Sequence, residues 1–210
     1  NLNGVGTVGL SKTILAVASG EEHDGTAGTG VVNSLTTGSH KIQVASTTIP
    51  ATVQDIEMTN SSGGVLRAID FSGNSSSVDH CCQRCIVHDL HKTGSGELRG
   101  IEFDVCNVRI HNNIVYDLSS ASSNSSHEAI GIGTMSTADR DRRVNNNTVY
   151  KVEASNSASA YGISIPDNTG EEIQNNLVID TGGATSGTTA DFKNASYSNA
   201  TCSHNASSDS

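Results

Sequence analysis

The stretch RIHNNIVYDL, residues 109–118, places two adjacent asparagines inside an apolar run, where a strand or a helix normally carries carbon. The pattern recurs downstream as RVNNNTVYKV at 143–152, EIQNNLVID at 172–180 and, in degraded form, TCSHNASSD at 201–209. The aligned asparagines, 29 or 34 residues apart, are Asn113, Asn147, Asn176 and Asn205. Self-similarity at such a period is the signature of a repeat architecture.

A further copy lies upstream, and a second element recurs between the copies. CCQRCIVHDL at 81–90 matches the quoted stretch, with Cys85 in the asparagine column. The second element reads RAIDF at 67–71, RGIEF at 99–103, EAIGI at 128–132, YGISI at 161–165 and TADF at 189–192. These segments are too short and too rich in Gly, Asn, Ser and Thr for helical repeats, and leucine is too sparse for leucine-rich repeats.

Each repeat is instead predicted to form two or three short strands with β-branched residues alternating inward, which is one coil of a parallel β-helix. Stacked coils lie about 4.8 Å apart, so each column of the repeat becomes a ladder along the solenoid. The sequence therefore predicts an all-β fold with coils of about 27–34 residues. Residues 40–210 are assigned to the β-helix and residues 1–39 to a lead-in or cap segment of short strands.

Asparagine suits the turns of such a coil for two reasons. It tolerates the left-handed backbone conformation that a sharp turn between strands requires. Its side-chain amide can also hydrogen-bond to the asparagine of the next coil. Asn113, Asn147, Asn176 and Asn205 are therefore predicted to form a structural ladder at a left-handed turn.

The pattern I-x-N-N-x-V…A-x-G-I-x-I over residues 110–165 resembles the repeats of the right-handed parallel β-helix superfamily. That superfamily contains pectate lyases, polygalacturonases and many phage tailspikes. The segment GEEHDGTAGTGVV, residues 20–32, is similar to the lead-in of secreted or phage-borne members. The resemblance implies that the chain is a right-handed solenoid of a secreted or phage-borne protein. It implies no particular activity, because one fold hosts many functions.

Composition narrows the class of protein. Tryptophan is absent and aromatic residues make up 3%, so the core is predicted to consist of aliphatic ladders. The net charge of −10 argues against a nucleic-acid partner. No apolar run approaches the roughly 20 residues that a membrane span needs. A surface rich in Ser, Thr, Asn and Gly suits an extracellular, secreted or virion-surface location, with either a removed signal peptide or a fragment explaining the start at Asn1.

The cysteines give a sharper expectation. Their number is five, so at least one is free or pairs between chains. Cys82 and Cys202 fall in the column of Ile110, four coils apart, which is far beyond disulfide reach. Both are predicted to be buried, unpaired thiols. The run CCQRC, residues 81–85, is not expected to bind a metal, because adjacent residues of a strand point to opposite faces and no histidine stands at zinc spacing.

Acidic residues of the second element supply the candidate chemistry. The column on the outer face is expected to read Asp70, Glu102, Gly131, Ser164 and Asp191. Asp104 lies two residues beyond Glu102 on the same face, so Asp70, Glu102 and Asp104 form a candidate carboxylate cluster. Such a cluster can hydrolyse a glycosidic bond or hold calcium, but we expect a solvated strand face. No catalytic residue, metal site or cofactor is assigned on this basis.

Other polar residues carry weaker signals. Polygalacturonase-like motifs are absent, and SVDHCC at 77–82 only partly resembles a pectate lyase segment, through Asp79 and His80. Four further histidines are expected to be exposed and solvated, because no oriented partner or pocket is evident from their spacing: His88, His91, His111 and His127.

Two functions remain open from the sequence. The first is a non-catalytic structural or adhesive extracellular module, part of a fibre or tailspike, whose final coil stays in register and is either truncated or stacks end to end. Its expected partners are other copies of itself or a surface polysaccharide. The second is a polysaccharide hydrolase or lyase that uses Asp70, Glu102 and Asp104.

Overall fold

The computed structural model describes residues 11–34, 40–46, 48–59, 67–134, 136, 138, 140–165, 170–183, 186–193 and 201–209. Within these ranges the regular structure is entirely β, arranged as three parallel sheets that stack into a β-solenoid. The fold class predicted from the repeat is confirmed. No helix in the described ranges is long and apolar enough to cross a membrane.

Strands are numbered in chain order, and each sheet takes every third strand. Sheet 1 contains β1 (Thr13–Ala16), β4 (Ala51–Gln54), β7 (Ser75–Gln83), β10 (Cys106–His111), β13 (Arg142–Asn145), β16 (Glu171–Gln174) and β19 (Thr201–Ser203). Sheet 2 contains β2 (Val32–Ser34), β5 (Glu57–Thr59), β8 (Ile86–Lys92), β11 (Ile114–Ser120), β14 (Thr148–Ala154), β17 (Leu177–Gly182) and β20 (Ala206–Ser207). Sheet 3 contains β3 (His40–Val44), β6 (Arg67–Phe71), β9 (Leu98–Phe103), β12 (Glu128–Gly133), β15 (Ser159–Ser164) and β18 (Thr189–Phe192).

The first coil begins inside the segment assigned to the lead-in. β1 pairs in parallel with β4, and β2 pairs in parallel with β5. These two short strands are therefore continuous with the sheets of the solenoid. The predicted end of the lead-in at residue 39 falls between β2 and β3.

The core consists of aliphatic columns that run along the solenoid. Each sheet contributes a long, fully buried column: Val53, Cys82, Ile110, Val144 and Ile173 in sheet 1; Val87, Val115, Val149 and Val178 in sheet 2; Ile69, Ile101, Ile132 and Ile163 in sheet 3. Burying one such side chain contributes about 1.5–3 kcal/mol. Phe71 and Phe103, also fully buried and paired in register in sheet 3, add a short aromatic column to this aliphatic core.

The cysteine expectation is half right. Cys82 is buried and free, and the strand register places Cys202 beyond Ile173 in the same column. Cys202, however, is exposed, so the prediction that it is buried is wrong. The last coil has lost its apolar residues, and nothing among the described residues covers this position.

The left-handed turn lies one residue earlier than predicted. Positive φ values occur at the residue before each ladder position, namely Asp55, Arg84, Asn112, Asn146, Asn175 and His204. The ladder asparagines themselves do not have positive φ, so the expectation that they adopt the left-handed conformation is wrong. The two asparagines of each pair have different roles. The first adopts the left-handed conformation of the turn, and the second points its side-chain amide into the core.

Asn147 shows how completely one ladder amide is satisfied. Its Oδ1 accepts the backbone N–H and the side-chain N–H of Asn113, both at 3.0 Å. Its Nδ2 donates to Oδ1 of Asn176 at 3.0 Å and to the carbonyl oxygen of Ile110 at 2.9 Å. Asn176 repeats the arrangement with Oδ1 of Asn205, at 2.9 and 3.0 Å. The amides therefore bond one coil to the next through the buried turn.

We predict that Asn147→Leu destabilises the protein much more than Asn205→Leu. Leucine at 147 removes the Oδ1 acceptor of the buried Asn113 backbone N–H and the donor to the carbonyl oxygen of Ile110, at about 1–3 kcal/mol for a buried group left unpaired. Asn205 makes equivalent bonds but is only half-buried, so water can replace them. Thermal unfolding of both variants measures the difference. An equal loss, or a larger one at Asn205, contradicts a buried ladder.

Candidate functional site

The carboxylates singled out in the sequence stack as expected but lie in a different environment. Asp70 of β6 pairs with Glu102 of β9 in the parallel register. The two residues are only 2% and 6% exposed, so this part of the column is not a solvated strand face, and that expectation is wrong. Asp104, in contrast, is exposed.

Two arginines explain the burial of Glu102. The guanidinium groups of Arg67 and Arg99 both form ion pairs with its carboxylate. Arg99 also contacts Glu97 at 2.8 Å, and burial lowers the pKa of its guanidinium. An isolated charge would be costly at this depth, whereas a paired one is tolerated. Glu102 therefore acts as a structural counter-ion for two cations.

Of the other predicted members, Ser164 lies in the column, whereas Gly131 and Asp191 do not. Glu102 pairs with Gly133, and Gly133 pairs with Ser164, so Gly131 does not belong to this column. Asp191 lies beside Gly162, because the neighbouring pairs are Tyr161 with Ala190 and Ile163 with Phe192. The pattern EAIGI offers two isoleucines two residues apart, and the structure places the second, Ile132, on Ile101. A slip of two residues keeps the same face and leaves no trace in the apolar pattern.

His88 corrects the expectation of exposed histidines most clearly. It is 6% exposed, with Nε2 at 2.8 Å from Oε1 of Glu57 and Nδ1 at 2.8 Å from Oδ2 of Asp89. The ring also stacks on Tyr116, with centroids 5.0 Å apart and planes 9° apart. The partners of His88 therefore hold the ring in a structural position.

The three other histidines of that group are half-buried rather than exposed. His91 contacts Ser119 Oγ at 2.7 Å, and His127 contacts Ser122 Oγ at 2.7 Å. His80, of the segment compared with pectate lyases, is fully buried, and its Nδ1 accepts the backbone N–H of Ala51 at 3.2 Å. His80 therefore has a structural position in the core, out of reach of a polymeric substrate.

A thiol and an imidazole come together on the outer face of sheet 1. Sγ of Cys81 lies 3.6 Å from Nε2 of His111, and Nδ2 of Asn112 donates to Nδ1 of His111 at 3.1 Å. This bond leaves the proton on Nε2, so the imidazole cannot accept the thiol proton there. Burial raises the pKa of the Cys81 thiol and is the main cause that lowers the pKa of His111. Both shifts favour a neutral pair over a reactive thiolate.

Sequence reasoning missed one set of potential ligands on sheet 2. Asp89, His91 and Asp117 each offer one ligand atom, and these atoms lie within 4.8 Å of one another. It is the one such cluster of three in the part of the chain that the structure describes, and it includes neither CCQRC nor the predicted carboxylates. The usable signal was the aspartate at the fourth position of IVHDL, IVYDL and LVIDT, which recurs once per coil.

Comparisons with models of protein families, with curated proteins and with solved structures found no match for this chain. The class that the structure defines is therefore an architectural one, the parallel β-solenoid proteins.

We predict that alkylation of the native protein with iodoacetamide at neutral pH modifies Cys202 first, because that thiol is exposed. Cys81 should react slowly because its raised pKa leaves little thiolate, and burial raises the pKa of Cys106 to about 12. Mass spectrometry of digested samples over time gives the order. Modification of Cys81 ahead of Cys202 would show an activated nucleophile beside His111 and contradict the neutral pair.

Proposed function

We propose that this protein is a non-catalytic structural or adhesive β-solenoid module of a cell exterior or virion surface, of the kind found in fibres and tailspikes. The observation that carries the proposal is the pairing of Glu102 with Arg67 and Arg99. A glycosidase needs two carboxyl groups that face a substrate, one of them protonated. Here the central carboxylate of the candidate cluster is buried and committed to two cations.

Two other ion pairs among the described residues also lie wholly or partly within the structure. Arg142 and Glu171 are fully buried and joined at 2.7 Å, and Lys193 pairs with Glu128 at 2.7 Å. Such pairs connect neighbouring strands and loops and hold them in one arrangement. Burying these charges costs desolvation energy, and their pairing fixes the structure, as expected of a rigid scaffold.

The partner of such a module is a surface polysaccharide or another copy of the chain. The outward face of sheet 2 is the best candidate for attachment to a polysaccharide. It carries Tyr150, which is 44% exposed, and a groove of about 290 Å³ whose lining includes His91, Ser119, Glu153 and Ser155. These hydroxyl, imidazole and carboxylate groups can exchange hydrogen bonds with sugar hydroxyls.

We predict that the protein binds members of a panel of acidic and neutral polysaccharides without cleaving them. Reducing-end formation and the ultraviolet absorbance of unsaturated products measure hydrolysis and elimination, and a pull-down on insoluble glycans measures binding. Neither product should exceed the level with boiled protein.

Turnover that disappears in Glu102→Gln but persists in Asp104→Asn would overturn the proposal in favour of a polysaccharide hydrolase or lyase. Asp104 is the matched control because it is exposed and belongs to the same predicted cluster. Circular dichroism spectra of both variants must match the wild type, since Glu102→Gln also removes a structural counter-ion.

A further inference from the structure

Asp89 and His91 of β8 and Asp117 of β11 lie together on the outer face of sheet 2. All three are half-buried, and one imidazole nitrogen and two carboxylate oxygens lie within 4.8 Å of one another. None of the three takes part in the ion pairs that support the proposed function. The set combines a nitrogen ligand with oxygen ligands, as many metal sites of proteins do.

A local change in the backbone creates the cluster. In a regular strand Asp89 would point inward, opposite to His88. Asp89 and Asp117 instead have φ values of 50° and 55°, and the strand register passes over them, pairing His88 with Tyr116 and Leu90 with Leu118. The interruption turns each aspartate outward, so the two carboxylates stack beside His91.

Each ligand is held by a neighbour through one of its atoms. Asp89 contacts Nδ1 of His88 through Oδ2 at 2.8 Å, and Asp117 accepts from Nζ of Lys151 through Oδ1 at 2.8 Å. Nδ1 of His91 contacts Ser119 Oγ at 2.7 Å. Ligands of protein metal sites are oriented in this way by a second layer of hydrogen bonds. When Nδ1–H of His91 donates to Ser119, Nε2 carries the lone pair that a metal needs.

We propose that Asp89, His91 and Asp117 bind a divalent first-row transition ion, with zinc as the best-matched ion. Three protein ligands leave coordination positions for water or for an oxygen ligand. His91 lines the groove of about 290 Å³, and all three ligands are half-buried, so the cluster is accessible from solvent.

The ligand set decides between kinds of ion. Calcium takes six to eight oxygen ligands and gains little from an imidazole. Zinc, nickel and cobalt accept imidazole nitrogen together with carboxylate oxygen. A cation also reduces the repulsion between the stacked carboxylates of Asp89 and Asp117, of which only the second is paired with Lys151.

The test uses the whole chain after dialysis against a chelator. Isothermal titration calorimetry with zinc chloride should show a site that His91→Ala and Asp117→Asn weaken at least tenfold. Ser119→Ala keeps all three ligands and should weaken binding about tenfold, as loss of one orienting hydrogen bond does at other metal sites. Cobalt(II) added to the wild type should give visible ligand-field absorption that is absent in His91→Ala.

His204→Asn is the matched control, because His204 is an exposed histidine of the last coil outside the cluster and asparagine tolerates its positive φ. It should bind zinc as the wild type does. Thermal unfolding in the presence of chelator checks that every variant is folded. Zinc affinity that is undetectable in the wild type, or equal in all variants, would overturn the proposal. Preference for calcium over zinc would overturn the role of His91.

Discussion

Hydrogen bonds between stacked side-chain amides hold the turn from sheet 1 to sheet 2, and the rest of the solenoid depends on that turn. At this point the chain changes direction inside the structure, where its backbone N–H groups cannot all join a strand ladder. An unpaired buried N–H costs about 1–3 kcal/mol, so each coil needs an acceptor there. Oδ1 of Asn147 supplies it for Asn113, and Oδ1 of Asn176 supplies it for Asn147.

Fixing this turn also fixes the register of both sheets. Ile110 lies just before Asn113 and Val115 just after it, and both point into the core. Since the turn repeats at the same place in each coil, their columns align without a separate signal. The same register aligns the residues of the outer face, so His88 stacks on Tyr116 and Asp89 lies beside Asp117. The proposed binding surface and metal site are therefore consequences of a periodic interior.

The sequence predicted what the period determines and failed where tertiary contacts decide. The repeat of Asn113, Asn147 and Asn176 was sufficient to predict a solenoid, because both the spacing and the apolar flanks recur. It could not show which asparagine of a pair carries the positive φ, since both are equally tolerant of that conformation. It also misplaced the alignment at Gly131, where Ile130 and Ile132 fit the column equally well.

Burial of polar residues was the other limit. Glu102 and His88 alternate with apolar neighbours and so were expected to be exposed, but some of the partners that allow their burial come from the preceding coil. Arg67 precedes Glu102 by one coil, and Glu57 precedes His88 by one coil. The prediction for Cys202 was wrong in the opposite direction: it was expected to be buried and is exposed, because a residue in a core column is buried only when a further layer covers it. Pairings of this kind depend on three-dimensional proximity, which a repeat pattern does not encode.

Amide hydrogen exchange tests the central claim most directly. The backbone amides of Asn113, Asn147 and Asn176 donate to the Oδ1 atoms of buried or partly buried asparagines at 2.9–3.0 Å. The amide of Ser126 donates to Oδ1 of Asn124 at 2.9 Å in an exposed turn, so it is a control with the same acceptor chemistry. Asn113 and Asn147 should exchange among the slowest amides of the protein, with Asn176 faster and Ser126 much faster. Exchange of Asn147 as fast as that of Ser126 would contradict a ladder that holds the coils together.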